Sequence, residues 1–166
     1  MSVPKLATAF CQICWLVKDI KAAERFFVET IGIPKFMHFE SLKADETEGK
    51  YRGASGNWDF KLYIAYAGET QIELIQQVSG ESMFKEFLDQ HGNAVQHVAY
   101  WLDDKDYDSA ARHLEVSGYP LIQSFKLPIL RVGYFDTRSA IGVVTELVGA
   151  TPEGHEWRRN LKAGNF

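Results

Sequence analysis

The sequence predicts an α+β fold built from two tandem βαβββ modules that share one cupped mixed sheet around a central cleft. Three observations predict it. The order strand, helix, strand, strand, strand is legible twice along the chain from its apolar periodicity. Each helix ends at a glycine followed two residues later by proline, Gly32-Ile-Pro34 and Gly118-Tyr-Pro120. Two strand segments of the first half recur in the second in the same order. Gln12-Ile-Cys-Trp-Leu-Val-Lys-Asp19 parallels His97-Val-Ala-Tyr-Trp-Leu-Asp-Asp104, and Gln71-Ile-Glu-Leu-Ile75 parallels Val144-Thr-Glu-Leu-Val148.

The elements follow in order. Residues 10–17 form an apolar run of strand length. Asp19 is a suitable N-cap, and Ile20, Ala23, Phe27 and Ile31 recur at helical spacing until Gly32 closes the helix. Residues 36–42 read as a strand. The polar stretch 43–57, with Gly49, Gly53 and Gly56, reads as a loop. Residues 58–66 alternate, and residues 70–77 form the next strand after a tight turn at Ala67-Gly68-Glu69. Residues 82–91 read as a linker helix ending at Gly92. A strand over 95–102 restarts the pattern. Asp104 caps a helix striped by Tyr107, Ala111 and Leu114, and three short strands end at Val148. Residues 1–150 are therefore expected to be one domain, with modules 8–78 and 95–149, and residues 151–166 a solvated tail. Half-domains of this kind cannot bury a sheet alone, so the two are expected to pair.

At 166 residues and 18.9 kDa the chain is long enough to bury a core without disulfides or structural metals. Its net charge of −4 excludes the basic face of a dedicated nucleic-acid binder. The run at 10–17 is too short to cross a bilayer, which takes about 20 residues. It is followed by Lys18-Asp19 rather than a cleavage site. A cytoplasmic protein with neither nucleic-acid nor membrane partners is expected. Cys11 and Cys14 make a CxxC, but no second pair completes a zinc ribbon, and the motif lies in a strand rather than at a helix start. Two buried strand cysteines on opposite faces are expected.

Superposing the halves matches Gln12 with His97 and Glu73 with Glu146. All four lie inside apolar strand segments. A lone strand glutamate ordinarily sits at a solvated edge or beside a base, and a lone strand histidine is ordinarily packed. Four such residues at equivalent positions call for compensation, because an unpaired buried carboxylate is costly. One divalent ion held by Gln12, Glu73, His97 and Glu146 provides it. Two carboxylates neutralise its charge, and the absence of a thiolate from the set favours a harder or borderline ion over a structural zinc. The cleft is thus expected to be a metal cleft holding one divalent ion (Zn, Ni, Co or Mn).

The chain resembles the vicinal oxygen chelate superfamily of glyoxalase I, methylmalonyl-CoA epimerase, extradiol dioxygenases and bleomycin-resistance proteins. The resemblance runs over most of residues 8–150. It rests on Gln12-Ile-Cys-Trp-Leu-Val-Lys-Asp-Ile20, Phe26-Phe27, Ile31-Gly32-Ile33, Ile72-Glu-Leu-Ile75, Gln96-His-Val-Ala-Tyr100, Tyr134-Phe-Asp-Thr137 and Thr145-Glu-Leu147. It implies metal ligands at the same four positions. A Gln, Glu, His, Glu set resembles glyoxalase I, whereas the Tyr-Phe-Asp-Thr segment is closer to the epimerases. Gln12 breaks the two-histidine, one-carboxylate iron site of the dioxygenases.

The resemblance implies a metal-dependent glyoxalase-like isomerase or lyase that abstracts a proton next to a carbonyl and passes through an enediolate. An acyl-CoA epimerase is one alternative, and a metal-free small-molecule binding or resistance protein is another. Glu146 is the first choice for the base and Glu73 the second. Leu16 stands where glyoxalase I places a basic residue for glutathione, which argues against that substrate. Lys61, Arg131 and Arg138 are the candidates for holding the phosphates of an acyl-CoA. Strand parity puts Cys14, Leu16, Ala99 and Trp101 on the ligand side, and these are expected to line an apolar pocket for a carbonyl or thioester substrate. A homodimer is expected from the family.

Overall fold

The computed structural model describes residues 6–166; the first five residues of the expected domain 1–150 lie outside the described part. The elements are β1 (Phe10–Leu16), α1 (Ile20–Arg25) continued by a π-helical turn (Phe26–Ile31), β2 (Met37–Lys43), β3 (Lys50–Tyr51), β4 (Ala54–Ser55), β5 (Asp59–Ala67) and β6 (Thr70–Ser79). Then come α2 (Met83–His91), β7 (Ala94–Asp103), α3 (Asp104–Val116), β8 (Leu121–Leu127), β9 (Leu130–Phe135), α4 (Arg138–Ile141), β10 (Val144–Ala150) and α5 (Pro152–Lys162).

Among the described residues, all the strands join one ten-stranded sheet in the order β2-β5-β6-β1-β7-β10-β9-β8-β3-β4. The eight long strands are arranged symmetrically about the β1/β7 junction, and β3 and β4 extend the edge beyond β8. In each half the first and last long strands are parallel, β1 with β6 and β7 with β10, and the halves join through antiparallel β1 and β7. The two glutamates, Gln12 and His97 therefore lie on the four central strands.

Strands β2 and β3 stand near opposite ends of this order, yet only a short segment separates Lys43 from Lys50. Seven residues reach about 25 Å at most, whereas eight strand spacings on a flat sheet span about 38 Å. The sheet has to curl, and the stretch 43–57, expected as a plain loop, closes the cup. Its β3–β4 hairpin pairs with β8, and Lys126 N donates to Thr47 O at 2.8 Å. Gly49 and Gly56 are needed there because the Trp58 ring lies against both; a Cβ on either would sit 2.6 or 2.2 Å from it.

Helices cover the outside of the cup. The α1 side buries Val17, Ile20, Ile33, Phe36 and Leu74, and the α3 side buries Tyr107, Ala110, Phe135 and Leu147. Asp19 caps α1 by accepting from Ala22 N, and Gly32 ends the following turn with φ 88°. Inside the cup, Leu16, Trp58, Phe60, Phe84, Phe125 and Tyr134 pack around α2.

Within residues 151–166, expected as a solvated tail, Pro152–Lys162 instead form a docked helix. Thr151 accepts from Gly154 N at 3.2 Å and Pro152 occupies the first turn, a strong helix start. Trp157 and Leu161, one turn apart, then turn inward. The helix packs against β5 and β10, one strand from each half.

Candidate metal and proton-transfer site

The sheet register explains how the quartet assembles. One row across the central strands runs Glu73, Cys14, His97, Val144; the next runs Gln71, Gln12, Ala99, Glu146. Cross-strand neighbours share a face. Ala99 has only a methyl group between Gln12 and Glu146, so the two long side chains meet over it and Gln12 Nε2 donates to Glu146 Oε2 at 3.0 Å. His97 Nε2 lies 3.3 Å from Glu73 Oε1 and 3.1 Å from Glu146 Oε2. Its other nitrogen, Nδ1, donates to Gln96 Oε1 at 2.6 Å, which aims Nε2 at the carboxylates. Structure thus brings together the four residues singled out by the internal repeat, all of them buried.

Neither Glu73 Oε1 nor His97 Nε2 has an aligned hydrogen-bond partner despite burial. Close polar atoms that converge without bonding one another are what a shared cation would satisfy. Two carboxylates, an imidazole nitrogen and an amide fit a divalent ion. Cys14 Sγ adds a neighbour the sequence reading assigned to the pocket wall: Cys14, Glu73 and His97 present ligand atoms within 4.8 Å of one another.

The charges respond to this crowding. Burial works against the His97 imidazolium, but the contacts with Glu146 and Glu73 outweigh it and hold the ring up to about 9. Burial, with the nearby Glu146 charge, raises Glu73 against the pull of His97. Burial also pushes the Cys14 thiol well up, which keeps it neutral unless a cation intervenes. Cys11 is a free buried thiol too, held up to about 12 by burial. A bulge between Phe10 and Gln12 sets it beside Ala99 and Trp101.

A cavity of about 300 Å³ opens above the quartet. Gln12, Gln71, Glu73 and Glu146 form its polar floor. Phe39, Ile64, Trp101, Phe125, Leu130 and Trp157 are among its apolar walls. Of the expected pocket residues, only Trp101 lines it. Cys14, Leu16 and Ala99 share the inward face but are wholly buried. The parity was right; short side chains on the central strands lie beneath the longer polar ones, and Leu16 packs into the core with Ile75. Trp157, from the helix expected to be a tail, stacks on Trp101 with centroids 6.4 Å apart.

Lys61, Arg131 and Arg138 do not face the cavity. Lys61 pairs with Glu40, Arg131 with Asp104 and Asp108, and Arg138 with Asp136. None remains as a phosphate anchor for the cavity. Tyr134 is a site neighbour the sequence reading passed over. It is opposite Glu146 on β9, wholly buried, with its hydroxyl unpartnered and its ring 5.1 Å from His97. Its position two residues after Val132 on an inward-facing strand was the available signal.

The curled two-module sheet with a polar quartet at its centre defines a class. Residues 11–128 match the Glyoxalase/Bleomycin resistance protein/Dioxygenase superfamily, and the chain belongs to that family. Comparison with curated proteins finds no match. Among solved structures, it is similar to methylmalonyl-CoA epimerase from Mycobacterium tuberculosis, with a TM-score of 0.63 and 22% identity over 92% of this chain and 95% of that one. A hypothetical protein from Bacillus halodurans gives 0.59 and 21%, covering 84% of this chain and 92% of that one. Streptomyces coelicolor methylmalonyl-CoA epimerase in complex with 2-nitronate-propionyl-CoA gives 0.56 and 19%, covering 85% and 93%. At these identities the likeness is one of fold. Among the described residues, no helix is long and apolar enough to cross a membrane.

Proposed function

We propose that this chain is an isomerase of the epimerase type, which moves a proton at the carbon next to the carbonyl of an acyl thioester or related small carbonyl compound. The observation that carries this reading is that two glutamates, one from each module, line the floor of one cavity on either side of His97. Two carboxylates facing a bound substrate from repeat-related positions suit removal of a proton from one face and its return to the other. The epimerase folds among the structural neighbours support the same choice over the glyoxalase-like isomerisation expected from the ligand set.

Gln12, Glu73, His97 and Glu146 would hold one divalent ion, with Cys14 close by. When bound, the ion would polarise the substrate carbonyl as a Lewis acid. Glu146 takes the substrate proton and Glu73 is positioned to supply one, or the reverse for the other enantiomer. Gln12 holds Glu146 in place by its hydrogen bond. Trp101, Trp157 and the aliphatic walls keep water from the reacting carbon. The buried free thiols suit a cytoplasmic enzyme, and a homodimer is part of the same proposal.

Elemental analysis of the purified protein should give about one equivalent of Zn, Ni, Co or Mn, lost in a Glu73→Ala, His97→Ala double variant. In D₂O, 2-methylacyl-CoA thioesters and small ketones should then exchange the proton next to the carbonyl, followed by NMR. No exchange across that panel, or exchange unchanged in a Glu73→Gln, Glu146→Gln double variant, overturns the reading.

A further inference from the structure

We propose that Gln71 is a substrate-recognition residue, and that the cavity selects a neutral molecule whose apolar body fills the walls and whose carbonyl or hydroxyl oxygen hydrogen-bonds to the Gln71 amide.

Gln71 is 1% exposed, and neither its amide nitrogen nor its amide oxygen has a hydrogen-bond partner. Among the described residues it is the only side chain left with two such atoms. It lies two residues before Glu73 on β6, so both project from the same face, and both line the cavity. Burying an amide without partners works against folding. The second module shows that the position does not require one: its equivalent is Val144, packed in the core. The amide is therefore explained by a partner that arrives from the cavity.

The side chains of the lining also favour a neutral partner. Among the described residues around the cavity there is no Lys, Arg or His, while two glutamates stand at its floor. Arg158 comes near but lies over the Trp101 ring, 4.9 Å from its centroid, and donates to Tyr66 Oη. A carboxylate on the ligand would enter an apolar chamber with no cationic side chain to meet it. A neutral oxygen meets the Gln71 N–H donors, and a ligand hydroxyl can also donate to the amide oxygen.

The inference rests on the proton-transfer reading for why the ligand carries a carbonyl, but its test is binding alone. Trp101 and Trp157 both line the cavity, so their fluorescence reports occupancy. The protein as purified, and the same protein after EDTA treatment to free the floor of any ion that a carboxylate could bind, are titrated with 2-octanone, octanoate and 1-octene. Wild type should bind 2-octanone about tenfold more tightly than 1-octene, and the EDTA-treated protein should bind octanoate most weakly. Gln71→Met and Gln71→Leu should remove the preference for the ketone, an about five- to tenfold loss, and leave 1-octene binding unchanged. Both variants should melt no lower than wild type, because each removes an unpartnered amide, and two substitutions guard against one folding poorly. Equal weakening of ketone and alkene in both variants overturns the proposal, as does octanoate binding most tightly to EDTA-treated wild type. Failure of proton exchange alone would sink the reaction and leave this binding pattern standing.

Discussion

The two modules share strand order and place one glutamate each at the centre, yet their inner faces are unequally polar. The first contributes Gln12, Gln71 and Glu73; the second contributes His97, Val144 and Glu146. Their outer helices differ as well. The first is six residues of α-helix relaxed into a π-helical turn, whereas α3 is a regular helix of 13 residues. The backbone repeat thus fixes where side chains project, and substitution at repeat-equivalent positions decides what they do. Each half supplies one carboxylate, while the neutral hydrogen-bonding amides lie in the first half and the imidazole in the second.

The largest effect should come from breaking the symmetry of the glutamates. Glu146→Gln and Glu73→Gln should each slow epimerisation by about 10²- to 10⁴-fold, measured by turnover of the separate enantiomers. If only one variant falls, the modules are functionally unequal and a single base serves both faces.

His97→Ala compared with Gln12→Ala tests the other equivalent pair. Removing His97 leaves two buried carboxylates facing each other and should cost about 3–5 kcal/mol in metal-free protein. Removing Gln12 takes one donor from Glu146 Oε2 and should cost about 1–3 kcal/mol. Urea unfolding at neutral pH checks the order, and comparable losses would show that the two positions act alike.

Trp157→Ala sharpens the comparison from outside the modules, because α5 touches both. Trp157 is only partly buried, so the loss should be about 2 kcal/mol, below that of a fully buried tryptophan. The cavity should also lose affinity for 2-octanone.

The last effect is on pH dependence. His97 has its folded value raised from 6.5 to about 9, so its stabilising contribution is complete below 6.5 and is lost as pH rises through about 9. Raised Glu73 adds a loss of the same sign that starts at lower pH. Melting temperature of EDTA-treated protein should fall between pH 6.5 and 9. Stabilisation by added Zn²⁺ should grow over the same interval, since the ion displaces the proton on His97. A flat profile would place His97 outside the cluster in solution.

Much of the site was legible because strand parity and repetition are local signals. Gln12, Glu73, His97 and Glu146 stood out as polar residues in apolar strands at matching places, and the sheet register brings them within bonding reach. Tyr134 and Gln71 were hidden for different reasons. A tyrosine in a strand is ordinary, and Gln71 has an apolar counterpart, so the repeat could not flag it. Cys14, Leu16 and Ala99 were placed on the correct face at the wrong depth, because parity says nothing of how far a side chain reaches beside longer neighbours.

The sequence by itself determined the two modules, the order of the long strands and of the helices between them, and the chemical types gathered at the centre, since each follows from periodicity, capping or residue identity along a short stretch. Only the tertiary structure decided that the loop 43–57 closes the cup, that residues 152–162 dock as a helix across it, and that Lys61, Arg131 and Arg138 are held by neighbouring acids away from the cavity. Those outcomes depend on which distant surfaces meet once a ten-stranded sheet curls. Contacts of that kind are set by the three-dimensional path of the chain and leave no local period to read.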